Sequence, residues 1–470
     1  MGLDLTPDTT VIPMETPLKY LEARVPTGES PLILASRLAD SGWFDQYVTY
    51  EGREEWSFAG GSLATVRLTA DSAELTTGGS TRRLPHDTDL ATVLEPLLAD
   101  IPIEDWRAYG WAAFELADPG TAPAGRDLLH LMVPESEVRV LHGEARVRAV
   151  HEHQLERLSA LVRSAANRGS PPGAAAAAEG DAEDPASRRL DLPVEDSGNY
   201  RAAVAETVLE IQNNTLEKAV ISRTVPVPEP VDLTASYVAG RRANAPARSF
   251  LLSLGGIRAA GFSPELVVQV AEDGRVTTQP LAGTRARTGE THADAALREE
   301  LRTDPKEVHE HAVSVRLACE ELQTCCDRVR VEDFMEVRER GSVQHLASTV
   351  RGDLASATSP WAAFEAVFPS VTATGIPKAP ACALIHSLEE HERGLYSGAV
   401  LTCDSAGCLE ATLVLRSLFQ QDGRTWLQAG AGIVSHSLPE REHEETCEKL
   451  RSVAPYLVPG TGPRSTGAGP

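Results

Sequence analysis

No stretch of the 470 residues approaches the ~20 consecutive apolar residues that a membrane-spanning helix needs. Met1 to Pro26 carries acidic residues early and has no long apolar run, so a chain with no membrane role is expected, working in the cytoplasm. Basic residues are also short, 44 Lys and Arg against 68 Asp and Glu for a net charge of -24, which argues against nonspecific binding to nucleic acid. Cysteine is sparse and odd in number, seven in all. Apart from Cys325-Cys326 they are scattered, and the pair Cys403 and Cys408 lacks a second pair at zinc-site spacing, so reduced thiols without assigned chemistry are expected. The His-Glu-x-x-His spacing is absent as well. In His309-Glu310-His311 alternate residues on a helix point in different directions, which places zinc well below an oxygen-ligated ion.

What is present divides by composition. Residues 1–164 alternate short apolar runs with turns, as in Ser62 to Leu68, Leu128 to Pro134 and Glu137 to Leu141, and predict mostly antiparallel sheet. Asp89 to Leu98 reads as a helix, and the aromatics between Trp106 and Phe114 as core. Residues 165–190 change abruptly to Ser170-Pro171-Pro172-Gly173, five alanines and an acidic run, which predicts a flexible linker or loop. Residues 191–458 carry the candidate chemistry, and 459–470 form a Gly/Pro/Ser-rich tail expected to be disordered.

Within 191–458 the run Ala429-Gly430-Ala431-Gly432-Ile433-Val434 reads as a buried strand whose glycines let backbone N–H groups approach a ligand. Ser437 with Glu440 fits a capping box, with Pro439 in the first turn. In the helix so begun, Glu442, Glu445 and Lys449 stack along one side, offering hard oxygen ligands for a cation and an ammonium for an anion.

Upstream, an amphipathic helix from Asn199 to Glu217 runs into Lys218 at the start of a strand. That lysine is either an edge residue snorkelling to water or a buried amine needing a partner. Glu265 sits where a turn enters an apolar strand, either a surface carboxylate or one held out of bulk water. Gly283, Thr284 and Arg285 form a turn suited to an anionic ligand. Asp304-Pro305 starts a second acidic helix with Glu307, Glu310 and Ser314 on one side. His345 lies in a strand as a structural histidine or a substrate contact, Thr372 in a hydroxyl-rich loop, and Tyr396 and Arg416 in apolar strands where a buried guanidinium requires an anion.

Together these segments, from about Tyr200 to Leu450, resemble the chorismate-utilising family of anthranilate synthase component I, aminodeoxychorismate synthase, isochorismate synthase and salicylate synthase. Pro280 to Arg285, Gly341 to Leu346, Val371 to Lys378, Gly394 to Val400 and Glu442 to Leu450 are most similar to salicylate synthases. The resemblance implies an α+β (α/β) fold in which large antiparallel sheets form a central sandwich with helices outside, the site lying in a cleft. It implies Mg2+ on Glu310, Glu442 and Glu445, with Glu307 supporting metal-bound water. Lys218 would be a general base activating water, and Glu265 a general acid. Gly283, Thr284, His345, Thr372, Tyr396, Arg416, Gly430, Ala431, Gly432 and Lys449 would bind substrate.

Ala282 stands where aminodeoxychorismate synthases commonly carry a lysine nucleophile, and Lys218 argues for water over ammonia. The implied activity is therefore conversion of chorismate through isochorismate to salicylate and pyruvate, without an amidotransferase partner, by a monomer or weak homo-oligomer. The alternatives are an isochorismate synthase, an ammonia-using synthase and a non-catalytic chorismate-binding protein.

Overall fold

In a computed structural model of the chain, residues 17–460 are described except 87–88, 167–189, 191, 196–197, 288 and 341–342. The expected linker therefore lies almost wholly outside the described residues, as does the tail beyond 460. Pro459, placed in that tail, pairs with Val231 in a short two-stranded sheet. Among the described residues no helix is long and apolar enough to cross a membrane.

Two large sheets, of 11 and 12 strands, carry the fold, and every strand pairing within them is antiparallel. Neither belongs to one half of the sequence. Tyr47–Glu51 pairs with Arg248–Leu254 in the first, and Arg107–Ala112 with Ala399–Asp404 in the second. Their facing surfaces bury Val48, Tyr109, Trp111, Phe250, Val400 and Phe419 in one apolar cluster. Each large side chain so buried contributes roughly 2–3 kcal/mol relative to exposure.

Helices cover both outer faces, which is the predicted α+β sandwich. Leu90–Ala99, Pro305–Leu322 and Pro360–Val367 pack through Leu94, Val315 and Phe364 against the 12-stranded sheet. Pro31–Ala39, Glu152–Ala166 and Leu233–Ala243 cover the other.

Three local expectations are corrected. The helix expected from Asn199 to Glu217 runs from Tyr200 to Gln212, and Asn214 beyond it adopts a left-handed φ of 60° that the helix cannot continue through. Ser437 does not cap the last helix, Pro439–Arg451. The cap is Leu438, and the Ser437 hydroxyl instead accepts the Val434 N–H at 3.1 Å, closing the turn out of the preceding strand. Tyr396 and Arg416 lie outside strands, the first in the turn before Ala399–Asp404 and the second between Leu409–Leu413 and Ser417–Gln421.

Candidate active site

The strand Lys218–Pro226 runs antiparallel to Arg424–Ile433, with Val220 opposite Gly432 and Ser222 opposite Gly430. Helix Tyr200–Gln212 seals one side of this pair by packing Tyr200, Val204 and Ile211 on Ala219, Ile221 and Ile433. Lys218 is 5 % exposed, and its Nζ lies 2.6 Å from Glu310 Oε1, so it is a partnered buried amine rather than a snorkelling one. Gly432 makes room for that contact, because a Cβ there would stand 3.2 Å from Lys218 Cε and 3.3 Å from Glu310 Oε1.

Glu265 is fully buried just ahead of the strand Leu266–Val270. Burial pushes its carboxyl up to about 7, against the opposing influence of the hydrogen bond from Ser370, the nearby Thr372 hydroxyl and the charge of Lys218. Ser370 Oγ donates to Oε1 at 2.7 Å, while Oε2 has no partner among the described residues. A buried carboxyl of this kind can hold a proton near neutrality and release it to a leaving group.

Helix Pro305–Leu322 begins as predicted, with the Asp304 carboxylate accepting from the N–H groups of Lys306 and Glu307. It carries Glu307 and Glu310 toward the last helix, which carries Glu442, Glu445 and Lys449. Lys449 Nζ bonds both Glu445 Oε1 at 2.9 Å and the Gly430 carbonyl at 2.8 Å. Burial raises Glu445, but Lys449 and, further off, Lys306 and Arg441 outweigh it and hold the carboxyl below its usual value. Burial, then repulsion from Glu445, raises Glu442, whose Oε2 is buried without a partner among the described residues.

The carboxylate oxygens of Glu310, Glu442 and Glu445 are not gathered within 4.8 Å of one another. The one such group among the described residues is Glu195, Glu444 and Cys447, where Arg451 bridges the two glutamates. Glu310, Glu442, Glu445 and Glu307 instead all act on one ammonium, that of Lys306. Oxygen-only donors and a buried Glu442 oxygen lacking a partner suit a hard divalent cation. His311 turns inward to Ser348 Oγ at 2.7 Å, and burial pushes its imidazole down to about 4, while His309 is exposed.

Arg416 Nη2 donates to His345 Nε2 at 2.9 Å. Arg416 adopts a φ of 52° and Ser397, beside Tyr396, a φ of 61°, a conformation that costs non-glycine residues about 1–3 kcal/mol and clusters at functional sites. Burial raises the Tyr396 hydroxyl, which the Gly430 amide approaches. Thr284 pairs with His345 across two strands, and Thr372 Oγ1 donates to the Leu281 carbonyl at 3.1 Å. Gly283 has a φ of 76°, and a Cβ there would meet Glu307 Oε2 at 2.8 Å. Gly430, Ala431 and Gly432 line up along the strand beside Lys218.

Arg285, expected in a turn suited to an anion, pairs within the protein. Its guanidinium takes up Glu300, Asp304 and Glu307 at 2.8 to 3.0 Å and ties the Gly283 strand to the acidic helix. Three residues escaped the reading of the sequence. Ser370 is one. Tyr200 is another, its buried hydroxyl unpartnered among the described residues and in the field of Glu445, Glu442 and Tyr396. Lys306 is the third, and its signal was visible: a cation in the first turn of a helix opposes the helix dipole and needs anions to hold it.

The sequence profile of chorismate binding enzymes matches residues 45–455. The chain belongs to that family. The match reaches well before Tyr200, where the resemblance had been placed, because the first 160 residues contribute strands to both sheets. The chain is 39 % identical to a salicylate synthase of Mycolicibacterium paratuberculosis over 97 % of its own length and 99 % of that protein's. It is 37 % identical to anthranilate synthase component 1 of Haloferax volcanii over 58 % of this chain and 53 % of that one. Among solved structures, the menaquinone-specific isochorismate synthase of Escherichia coli shares the fold of this family member, with a TM-score of 0.70 at 22 % identity, covering 94 % of this chain and 96 % of that one.

Proposed function

We propose that this chorismate-utilising enzyme is a Mg2+-dependent salicylate synthase, converting chorismate through isochorismate to salicylate and pyruvate. The observation that carries the chemistry is a buried amine, Lys218, whose charge reaches a buried carboxyl, Glu265, that burial keeps protonated up to about pH 7. The full-length similarity to a salicylate synthase supports the choice of product.

Bound Mg2+ would neutralise the ring carboxylate of chorismate, with Glu310, Glu442 and Glu445 as the groups to hold it and Glu307 supporting its water. Lys218 takes a proton from water attacking C2, while Glu265 gives its proton to the hydroxyl leaving C4, so the ring double bonds shift and isochorismate results. Nζ donates one N–H to Glu310, and a neutral amine can keep that bond and still offer its lone pair to the attacking water.

Tyr396 and Arg416 would grip the enolpyruvyl carboxylate, with the amides of Gly430, Ala431 and Gly432 also offered to it. Gly283, Thr284, His345, Thr372 and Lys449 complete the substrate side. The second step breaks the bond between the ring and the enolpyruvyl oxygen while the C2 hydrogen migrates to the side-chain methylene, releasing pyruvate and leaving the aromatic ring. No further acid or base is required.

The test is incubation of the pure protein with chorismate and Mg2+, with products separated by chromatography. Salicylate and pyruvate in equal amounts are expected, without added ammonium. Isochorismate accumulating alone would reassign the chain as an isochorismate synthase, and an aminated product that depends on ammonium would reassign the nucleophile.

A further inference from the structure

Each of the four carboxylates facing this site has a cation of its own. Arg285 donates to Glu307, Lys218 pairs with Glu310, Lys449 with Glu445, and Lys306 Nζ stands 3.8 Å from Glu442 Oε1. The first three contacts are 2.6 to 3.0 Å, and those cations are buried or pinned by a second bond. The Lys306 contact is different. It is too long for a hydrogen bond, and the side chain is 46 % exposed on a flexible four-carbon stem.

Its position in the helix is equally unusual. Lys306 lies in the first turn of Pro305–Leu322, where the helix dipole disfavours a positive charge. What compensates is the combined field of Glu442, Glu310, Glu445 and Glu307. Glu442, for its part, is buried with one oxygen unpartnered among the described residues, so the lysine offsets its charge without satisfying that oxygen. The arrangement suits a cation that can step aside.

We propose that Lys306 is a tethered counter-cation that holds the Glu442 side of the carboxylate cluster while no divalent ion is bound and swings out to solvent when one enters. Lys306 thereby sets the affinity for the metal, as a positioning residue, without touching substrate. This rests on the Mg2+ reading above. Lys218 and Lys449 are too confined to leave as cheaply, which assigns the displacement to Lys306. Without its charge, four carboxylates face three fixed cations, and a divalent ion no longer competes with an ammonium tethered beside it.

The experiment measures Mn2+ binding to the full chain without substrate, following free Mn2+ by electron paramagnetic resonance. Wild type is compared with Lys306→Met, which keeps the stem and the helix propensity, and with Lys306→Arg. The Met variant is expected to bind Mn2+ at least about tenfold more tightly, and the Arg variant to stay within about threefold of wild type. In EDTA the Met variant should melt at a lower temperature than wild type, and Mn2+ should raise its melting temperature by more.

A lysine with a merely structural part would change the melting temperature and leave Mn2+ affinity alone. Equal or weaker Mn2+ binding by Lys306→Met, with an unchanged circular dichroism spectrum, overturns the role of Lys306 and leaves the metal reading standing. Failure of all three proteins to bind Mn2+ overturns both.

Discussion

Lys218 and Glu310 meet at 2.6 Å across the strand edge where Gly432 leaves no side chain. The proposed base and a proposed metal ligand are therefore one contact, so a shift of either side chain moves the other.

Lys218→Ala should bind chorismate with an affinity close to that of wild type and lose about 10²- to 10⁴-fold in turnover, the range for a general base. Calorimetric binding alongside a product assay separates the two effects. Near-normal turnover removes Lys218 as the base.

Gly432→Ala tests the same contact from the other side. The added methyl sits 3.2 to 3.3 Å from both partners and must push them by a few tenths of an ångström. A loss of about tenfold in turnover is expected, with thermal stability nearly unchanged, since misplacing catalytic groups by up to 1 Å costs as much as 10²-fold. Wild-type rates from a folded variant would show that the Lys218–Glu310 spacing is not critical.

Glu265 makes a prediction with a defined sign. Its folded-state value of about 7 lies above the usual 4.5, so below about 4.5 it does not affect folding. Between 4.5 and 7 the unfolded chain ionises first and stability falls, and above 7 the full penalty is present. Glu265→Gln removes that penalty. Relative to wild type, the variant should gain roughly 2.5 kcal/mol in stability between pH 5 and pH 8, measured by urea unfolding. Wild-type turnover should fall as pH rises through about 7, and the variant should be inactive at all pH values. A stability difference that does not change with pH would mean Glu265 is not titrating there.

Much of this site was legible because short-range rules govern it. Asp304-Pro305 marks a helix start whatever surrounds it, and the spacing of Glu442, Glu445 and Lys449 decides which face they share. Glu265 before an apolar strand left a surface carboxylate and a buried one both open, and the packing around it decides for burial. The misreadings have different causes. The Ser437 hydroxyl is taken by a local turn, accepting from the Val434 amide three residues before it instead of from the helix, and nothing in the residue type of Arg416 signals its left-handed φ of 52°. Arg285 looked like an anion reader since a guanidinium beside a glycine turn is equally suited to a ligand or to a neighbouring acidic helix. Only the packing of that helix decides, and it delivers Glu300, Asp304 and Glu307.

Ser370 tunes Glu265 directly. Its hydroxyl donates to Oε1 at 2.7 Å, a bond that favours the ionised carboxylate and works against burial. Ser370→Ala should therefore move the pH at which turnover falls upward by roughly one unit, the equivalent of losing one hydrogen bond to a charged group. Turnover below pH 6 should change little. The hydroxyl also accepts from the Thr372 amide at 3.3 Å, so a modest loss of stability, about 1 kcal/mol, should accompany the shift. A pH–rate profile superimposable on wild type would separate Ser370 from the proton on Glu265 and leave it only the turn it caps.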